Sequence, residues 1–135
     1  MSFEELSHTA DIKIRAQAPT LNDLFSEVFT ALMQVMYGTA RNGTITTIIT
    51  VDSADIESLL ADFLSEVLFA SDVNGMVFSH ADIEITGHHL TARLHGELFE
   101  PEKHSGGTEV KGISYTGLTI SHDANGYMVD IVFDV

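Results

Sequence analysis

Two apolar stripes at helical spacing dominate the first half of this sequence and restrict what it can become. Leu21, Leu24, Phe25, Val28, Leu32, Val35 and Met36 recur at intervals of three and four, which makes one face of a helix apolar. Thr20 stands at the N-cap with Asp23 three residues on, and Gly38 supplies the stop. The second stripe, Ile56, Leu59, Leu60, Phe63, Leu64, Val67 and Leu68, lies opposite Glu57, Asp62 and Glu66. Asp52 and Asp55 precede it, where a helix dipole favours acids, and Asn74-Gly75 turns the chain after it. A one-sided helix must bury its stripe against another element, so each of these two helices requires a sheet face or a partner helix.

The remaining sequence supplies strands. Ile12, Ile14, Ala16 and Ala18 alternate with Asp11, Lys13, Arg15 and Gln17 until Pro19 ends the run. Ile45 to Val51 is β-branched and polar by turns. Ile83 and Ile85 alternate with Asp82, Glu84 and Thr86, and Gly87-His88-His89 connects them as a hairpin to Leu90, Ala92 and Leu94. Arg93 and His95 fall on the opposite face. Lys111, Ile113 and Tyr115 share a strand face, and the apolar phase then slips to Leu118 and Ile120, which predicts a bulge at Gly117. Asp123-Ala124-Asn125-Gly126 predicts a hairpin turn into a last strand with Tyr127, Val129, Ile131 and Phe133 inward and Asp130 and Asp134 outward. The order β-α-β-α followed by about four strands predicts a single α+β domain over residues 1–135, with two amphipathic helices packed on a largely antiparallel sheet in two layers. A chain of 135 residues, 44% hydrophobic, is long enough for one real core.

Charge narrows the function. Twenty acids against six bases give a net charge of −14. Tight binding to a nucleic acid backbone needs a basic patch that releases counterions. Lys13, Arg15, Arg41, Arg93, Lys103 and Lys111 are too scattered to promise one, so work on RNA would pass through a basic protein partner. The same acidity also serves solubility. No Cys is present, which removes disulfides and thiolate metal sites. Met1 to Leu6 lacks the pattern of a signal peptide and no apolar run could span a bilayer, so a soluble cytoplasmic protein without a membrane partner is expected.

Ionisable residues gather in three blocks: His8 to Asp11, Pro101 to Tyr115, and Asp134-Val135. A fold that brings Asp11 beside Asp134 and the terminal carboxylate sets three carboxylates together, and these repel unless a cation, a Lys or a proton intervenes. Two readings stand. Asp11, Asp134 and the carboxylate or carbonyl of Val135 hold a hard cation, Ca²⁺ or Mg²⁺, or Asp11 satisfies a strand-start amide while Asp134 is solvated at the strand end. His8, beside Thr9 and Asp11, is a ligand, an acid–base group or a hydrogen-bonded structural residue. The seven His residues show no His-x-His or His-x3-His pairing, and no zinc site is expected. The chain also lacks the motifs of nucleophilic catalysis and of phosphate-cradling loops. Glu100, Glu102, Lys103, His104, Glu109 and Lys111 make the loop Glu100 to Lys111 either a docking arm or a solvated connection.

Read together, Ser7-His8-Thr9-Ala10-Asp11-Ile12-Lys13-Ile14, Glu97-Leu98-Phe99-Glu100-Pro101-Glu102-Lys103-His104, Gly107-Thr108-Glu109-Val110-Lys111-Gly112-Ile113-Ser114-Tyr115 and the terminal Phe133-Asp134-Val135 resemble the archease family, in order and spacing, over nearly the whole chain. The resemblance implies an α+β fold and a protein cofactor without turnover of its own. Such a cofactor activates an RtcB-type RNA ligase in tRNA splicing and RNA repair, promoting ligase guanylylation and multiple turnover. GTP and Mn²⁺ belong to the ligase, and tRNA is met only through it. The resemblance further implies a divalent cation at Asp11, Asp134 and Val135, with functional roles for Glu109 and Lys111 and for His8 and His104. A chaperone or modulator of a tRNA-modifying enzyme is a second role attributed to the family, and a divalent-metal phosphohydrolase using the same corner is the third reading. Ser7, Lys13 and Gly112 depart from the family's usual acid, small residue and Ala. Lys13, two positions along the strand from Asp11, is expected on the same face, where it opposes a cation or partly replaces one.

Overall fold

The computed structural model describes residues 1–6 and 11–135. Helix α1, Leu21–Tyr37, starts where the Thr20 side chain accepts a hydrogen bond from the Asp23 amide at 3.1 Å and ends at Gly38, whose amide bonds the Gln34 carbonyl. Helix α2, Ile56–Asn74, starts where Asp55 accepts from the Ser58 amide at 2.8 Å, a bond that holds the Asp55 carboxyl below its ordinary range. Gly75, at φ +62°, closes α2 in the left-handed conformation that favours glycine. Both stripes pack into the core, with Leu21, Val35, Ile56 and Leu68 only partly buried, and Phe25 and Phe29 stack on Phe63 with ring centroids 6.3 Å apart. No helix among the described residues is long and apolar enough to cross a membrane.

The expected α+β architecture is present, with its antiparallel strands divided between two sheets. The first contains β1 (Ser2–Leu6), β2 (Asp11–Ala18), β6 (Gly112–Ile113), β7 (Thr119–Asp123) and β8 (Gly126–Asp134). Strand β8 is its spine: β2 pairs with β8 from end to end, and β6 and β7 also pair with it, over its last and first parts respectively. The second sheet is β3 (Ile45–Asp52), β5 (His89–Leu98) and β4 (Met76–Thr86), in that order. Both helices touch strands of both sheets, so one continuous core joins Ile14, Val129 and Phe133 of the first sheet to Leu90, Ala92 and Leu94 of the second.

Two local features differ from the sequence reading. Strand β1 was not marked by its sequence; it lies on β2 with two of its five residues half-buried. The phase slip near Gly117 is a break into two strands rather than a bulge, with Gly117 at φ +70° and the Leu118 amide turned back to the Tyr115 carbonyl. The break is held to α2 by the Tyr115 hydroxyl on Asp62 at 2.5 Å and the Ile120 amide on Glu57 at 3.0 Å.

The polar loop after β5 is likewise fastened. Pro101 opens a one-turn helix α3, Pro101–His104, and the Thr108 amide bonds the Val35 carbonyl at 2.8 Å. Gly107 lies so close to the end of α1 that a Cβ there would overlap the Met36 and Val35 carbonyls. Neighbouring Gly106 has open space around it. Gly107→Ala should therefore destabilise the protein by about 1–3 kcal/mol. Gly106→Ala should leave the urea midpoint within experimental scatter, and equal midpoints for the two variants would contradict this packing.

Candidate functional site

The pairing of β2 with β8 builds the candidate site. Asp11 lies directly opposite Asp134, Lys13 opposite Val132 and Arg15 opposite Asp130. Residues opposite one another share a sheet face, with Cβ atoms about 4.5–5.5 Å apart. Ile14, Ala16, Val129, Ile131 and Phe133 take the inner face, so Asp11, Lys13, Arg15, Asp130 and Asp134 lie on the outer one. Two carboxylates thus stand side by side on an open surface, where like charges destabilise the pair. Next along the face, the Arg15 guanidinium grips Asp130 at 2.8 and 3.1 Å, lowering the Asp130 carboxyl and raising Arg15. Lys13 occupies the row between these two pairs, on the Asp11 face as its position in the sequence requires.

The other edge of β8 brings in the middle block. Gly112 pairs with Asp134, and the Lys111 amide bonds the Asp134 carbonyl at 2.7 Å. A Cβ on Gly112 would meet Asp134 Oδ2 at 3.6 Å, an ordinary contact, so an Ala would also fit there. Glu109, Val110 and Lys111 are exposed, buried and exposed in turn, which anchors the segment through Val110 and leaves both charged side chains on its open side. Neither is in an ion pair among the described residues. Together with Ser65, Leu68, Phe69 and Asp72 of α2 they line an open groove of about 350 Å³, and Phe69 is 63% exposed beside it. Sequence reasoning missed the α2 wall, because Phe69 falls outside the apolar stripe. Val135 follows Asp134 and is exposed.

His104 is placed elsewhere. It is fully buried, its Nδ1 accepts from the Glu100 amide at 2.9 Å, and its Nε2 faces Glu97 at 3.1 Å. An Nδ1 that accepts an N–H carries no proton, so Nε2–H donates to Glu97. Tyr37 and Phe99 close over the ring at 6.4 and 5.9 Å. The residue is a clasp that fastens α3 to β5, and no contact links it to Asp134. The arm is held rather than loose for the same reason: Lys103 Nζ reaches Glu97 at 2.9 Å and the Asn42 amide reaches it at 2.7 Å. His8 lies outside the described residues. Another cluster, His80, Asp82 and His95 on the outer face of the second sheet, brings donor atoms together although no short His spacing announces it. Its signal was the hairpin turn: counting outward from Gly87-His88, Thr86 meets His89, Asp82 meets Arg93 and His80 meets His95.

Comparison with known proteins identifies the family and the fold. Residues 3–135 match the model of the Archease protein family (MTH1598/TM1083). The chain belongs to the archease family. It is 35% identical to protein archease of Pyrococcus furiosus and 33% identical to that of Methanosarcina acetivorans, each over 98% of this chain and over 98% and 95% of the relative. The solution structure of protein 1598 from Methanobacterium thermoautotrophicum superposes with a TM-score of 0.82 at 26% identity, covering 99% of both chains. The crystal structure of a Thermotoga maritima archease, described as a possible chaperone, shares the fold with a TM-score of 0.67 at 19% identity, covering 98% of this chain and 96% of that one.

The Glu97 clasp has a definite pH signature. The Asn42 amide first, then Lys103 and His104, hold its carboxyl down at about 2 from an ordinary 4.5. A depressed carboxyl contributes stability that is complete above 4.5 and is lost as pH falls through about 2. Glu97→Gln should lower the melting temperature at pH 7, and the gap to the unsubstituted protein should narrow steadily between pH 4.5 and 2. A gap that stays constant over that range would contradict the clasp.

Proposed function

We propose that this archease-family protein is a non-catalytic cofactor that activates an RtcB-type RNA ligase in tRNA splicing and RNA repair, promoting guanylylation of the ligase and multiple turnover. The observation that carries the reading is the register of β2 against β8, which brings Asp11 and Asp134 together at the sheet edge where Lys111 and Gly112 join β8. Asp11, Lys111, Gly112 and Asp134, from three of the blocks that resemble the family, thus converge on one exposed corner. Glu109 and Lys111, tethered through Val110, extend from that corner toward the partner.

The donor set fits a hard cation: two carboxylates on one face, with main-chain oxygen from Val135 adjacent, suit Ca²⁺ or Mg²⁺ over softer metals. Bound there, the ion would neutralise the repulsion between Asp11 and Asp134. The protein's own residues then present an ordered pair of acids, and Glu109 and Lys111, to the ligase active site, where GTP and Mn²⁺ are held. The net charge of −14 favours steering to a basic, RNA-binding partner, so tRNA is met through the ligase. Arg15 and Lys103 are engaged in ion pairs and Arg41 is half-buried against the Phe78 carbonyl, which leaves little basic surface for RNA itself. The Thermotoga maritima relative's description as a possible chaperone favours, as a second reading, service to a different protein partner such as a tRNA-modifying enzyme.

The test is RNA ligation by the host's RtcB-type ligase at substoichiometric enzyme. Added protein should convert single turnover into multiple turnover, and the Asp11→Ala, Asp134→Ala double variant, still folded by its melting curve, should return the rate to that of the ligase alone. Full stimulation by the double variant would overturn the role of the corner. Hydrolysis of phosphoesters by the isolated chain, abolished by chelation, would overturn the non-catalytic role.

A further inference from the structure

The outer face of the second sheet is covered by neither helix, and it carries an ordered group of metal-binding side chains. His80 of β4 lies opposite His95 of β5, and their rings stack with centroids 4.3 Å apart at 16°. Asp82, two residues along β4 on the same face, reaches His95 Nε2 with Oδ2 at 2.9 Å. One donor atom from each of the three lies within 4.8 Å of the others.

A bulge lies just beyond this grouping on β4. The register of β4 on β5 shifts between Phe78 and His80, so Ser79 is the extra residue. Phe78 thereby turns into the core opposite Gly96 while His80 still faces outward opposite His95. The bulged residue also supports the ligands. Ser79 Oγ donates to the His95 carbonyl at 3.0 Å and lies 3.2 Å from His80 Nδ1. A hydroxyl that has donated its proton to a carbonyl can only accept from the imidazole, so Nδ1 carries the proton and His80 Nε2 keeps its lone pair. On the other side, Thr46 Oγ1 lies 3.4 Å from His95 Nδ1, a partner able to accept once Nε2 is engaged by a metal. Ring nitrogens held by outer partners in this way are how metal-binding imidazoles are oriented.

We propose that His80, Asp82 and His95 form a surface site for a divalent transition-metal ion of the zinc, copper and nickel class, with two imidazole nitrogens and one carboxylate oxygen as protein ligands. Three ligands leave a fourth tetrahedral position open. That position faces solvent, where water or a donor group from a partner surface would complete it. The preference for nitrogen ligands separates this site from the Asp11–Asp134 corner, which offers oxygen alone. The proposal does not depend on the ligase reading.

The test uses Zn²⁺ alone as probe, by calorimetry in excess Ca²⁺ so that oxygen-only sites are filled. The protein should bind one Zn²⁺ and melt at a higher temperature with it. His80→Asn and His95→Asn should each weaken Zn²⁺ binding by about tenfold or more while keeping the metal-free melting temperature near that of the parent. The control, His88→Gln with His89→Gln at the hairpin, removes the other imidazoles on this sheet and should bind as the parent does. If His95→Asn fails to fold, His80→Asn decides alone, since His80 is exposed. Absence of Zn²⁺ binding by the parent, or binding unchanged in His80→Asn, would overturn the proposal.

Discussion

The pairing of β2 with β8 is the interaction on which the rest of this structure depends. Its inner face supplies Ile14, Ala16, Ala18, Val129, Ile131 and Phe133 to the core, and its outer face carries Asp11, Lys13, Arg15, Asp130 and Asp134. A slip of one residue would send every one of these side chains to the wrong face. The core therefore enforces the register, and the register enforces the meeting of two acids that repel one another. Burial of apolar side chains holds Asp11 and Asp134 together. The Arg15–Asp130 pair two rows along fixes the same register electrostatically.

Ionisable residues in this protein divide by what surrounds them. Glu97, Lys103 and His104 form a closed set in which each side chain has a partner. Such a set fastens α3, and with it the path of chain that leads to Glu109. Glu109 and Lys111, exposed around buried Val110, have no comparable partners among the described residues and border a groove whose other wall is α2. In this block the structural charges are paired with one another, and the charges available to a partner sit outward at the junction of β6, β8 and α2. The sequence block that holds both kinds mixes them residue by residue, and only the fold separates them.

Much of the fold was legible because it rests on local rules. The cap at Thr20, the acids before α2, the stops at Gly38 and Gly75 and the turns at Gly87-His88 and Asp123 to Gly126 each depend on residues within a few positions of one another. Strand β1 escaped because Ser-Phe-Glu-Glu-Leu is short, acidic and mostly exposed, with no alternation to mark it. The division into two sheets escaped because strand partners are chosen over long distances: β2 finds β8, and β3 finds β5. At the site, Asp11 and Asp134 were nameable from their blocks, and the structure adds that they are direct neighbours. His104 was grouped with the functional residues by resemblance, yet its bonds to Glu97 and Glu100 make it a clasp. The His80, Asp82 and His95 group was hidden by the habit of reading His spacing along one strand, when its ligands come from two.

In the proposed function, the β2–β8 register creates a corner for a hard cation on which partner activation turns. The most direct test is an amide NMR titration of isotopically labelled protein with Ca²⁺. The account predicts saturable shifts concentrated at Asp11, Lys111, Gly112, Asp134 and Val135, and their loss in Asp134→Asn. Absence of saturable shifts at these amides, or shifts that persist in Asp134→Asn, would contradict it.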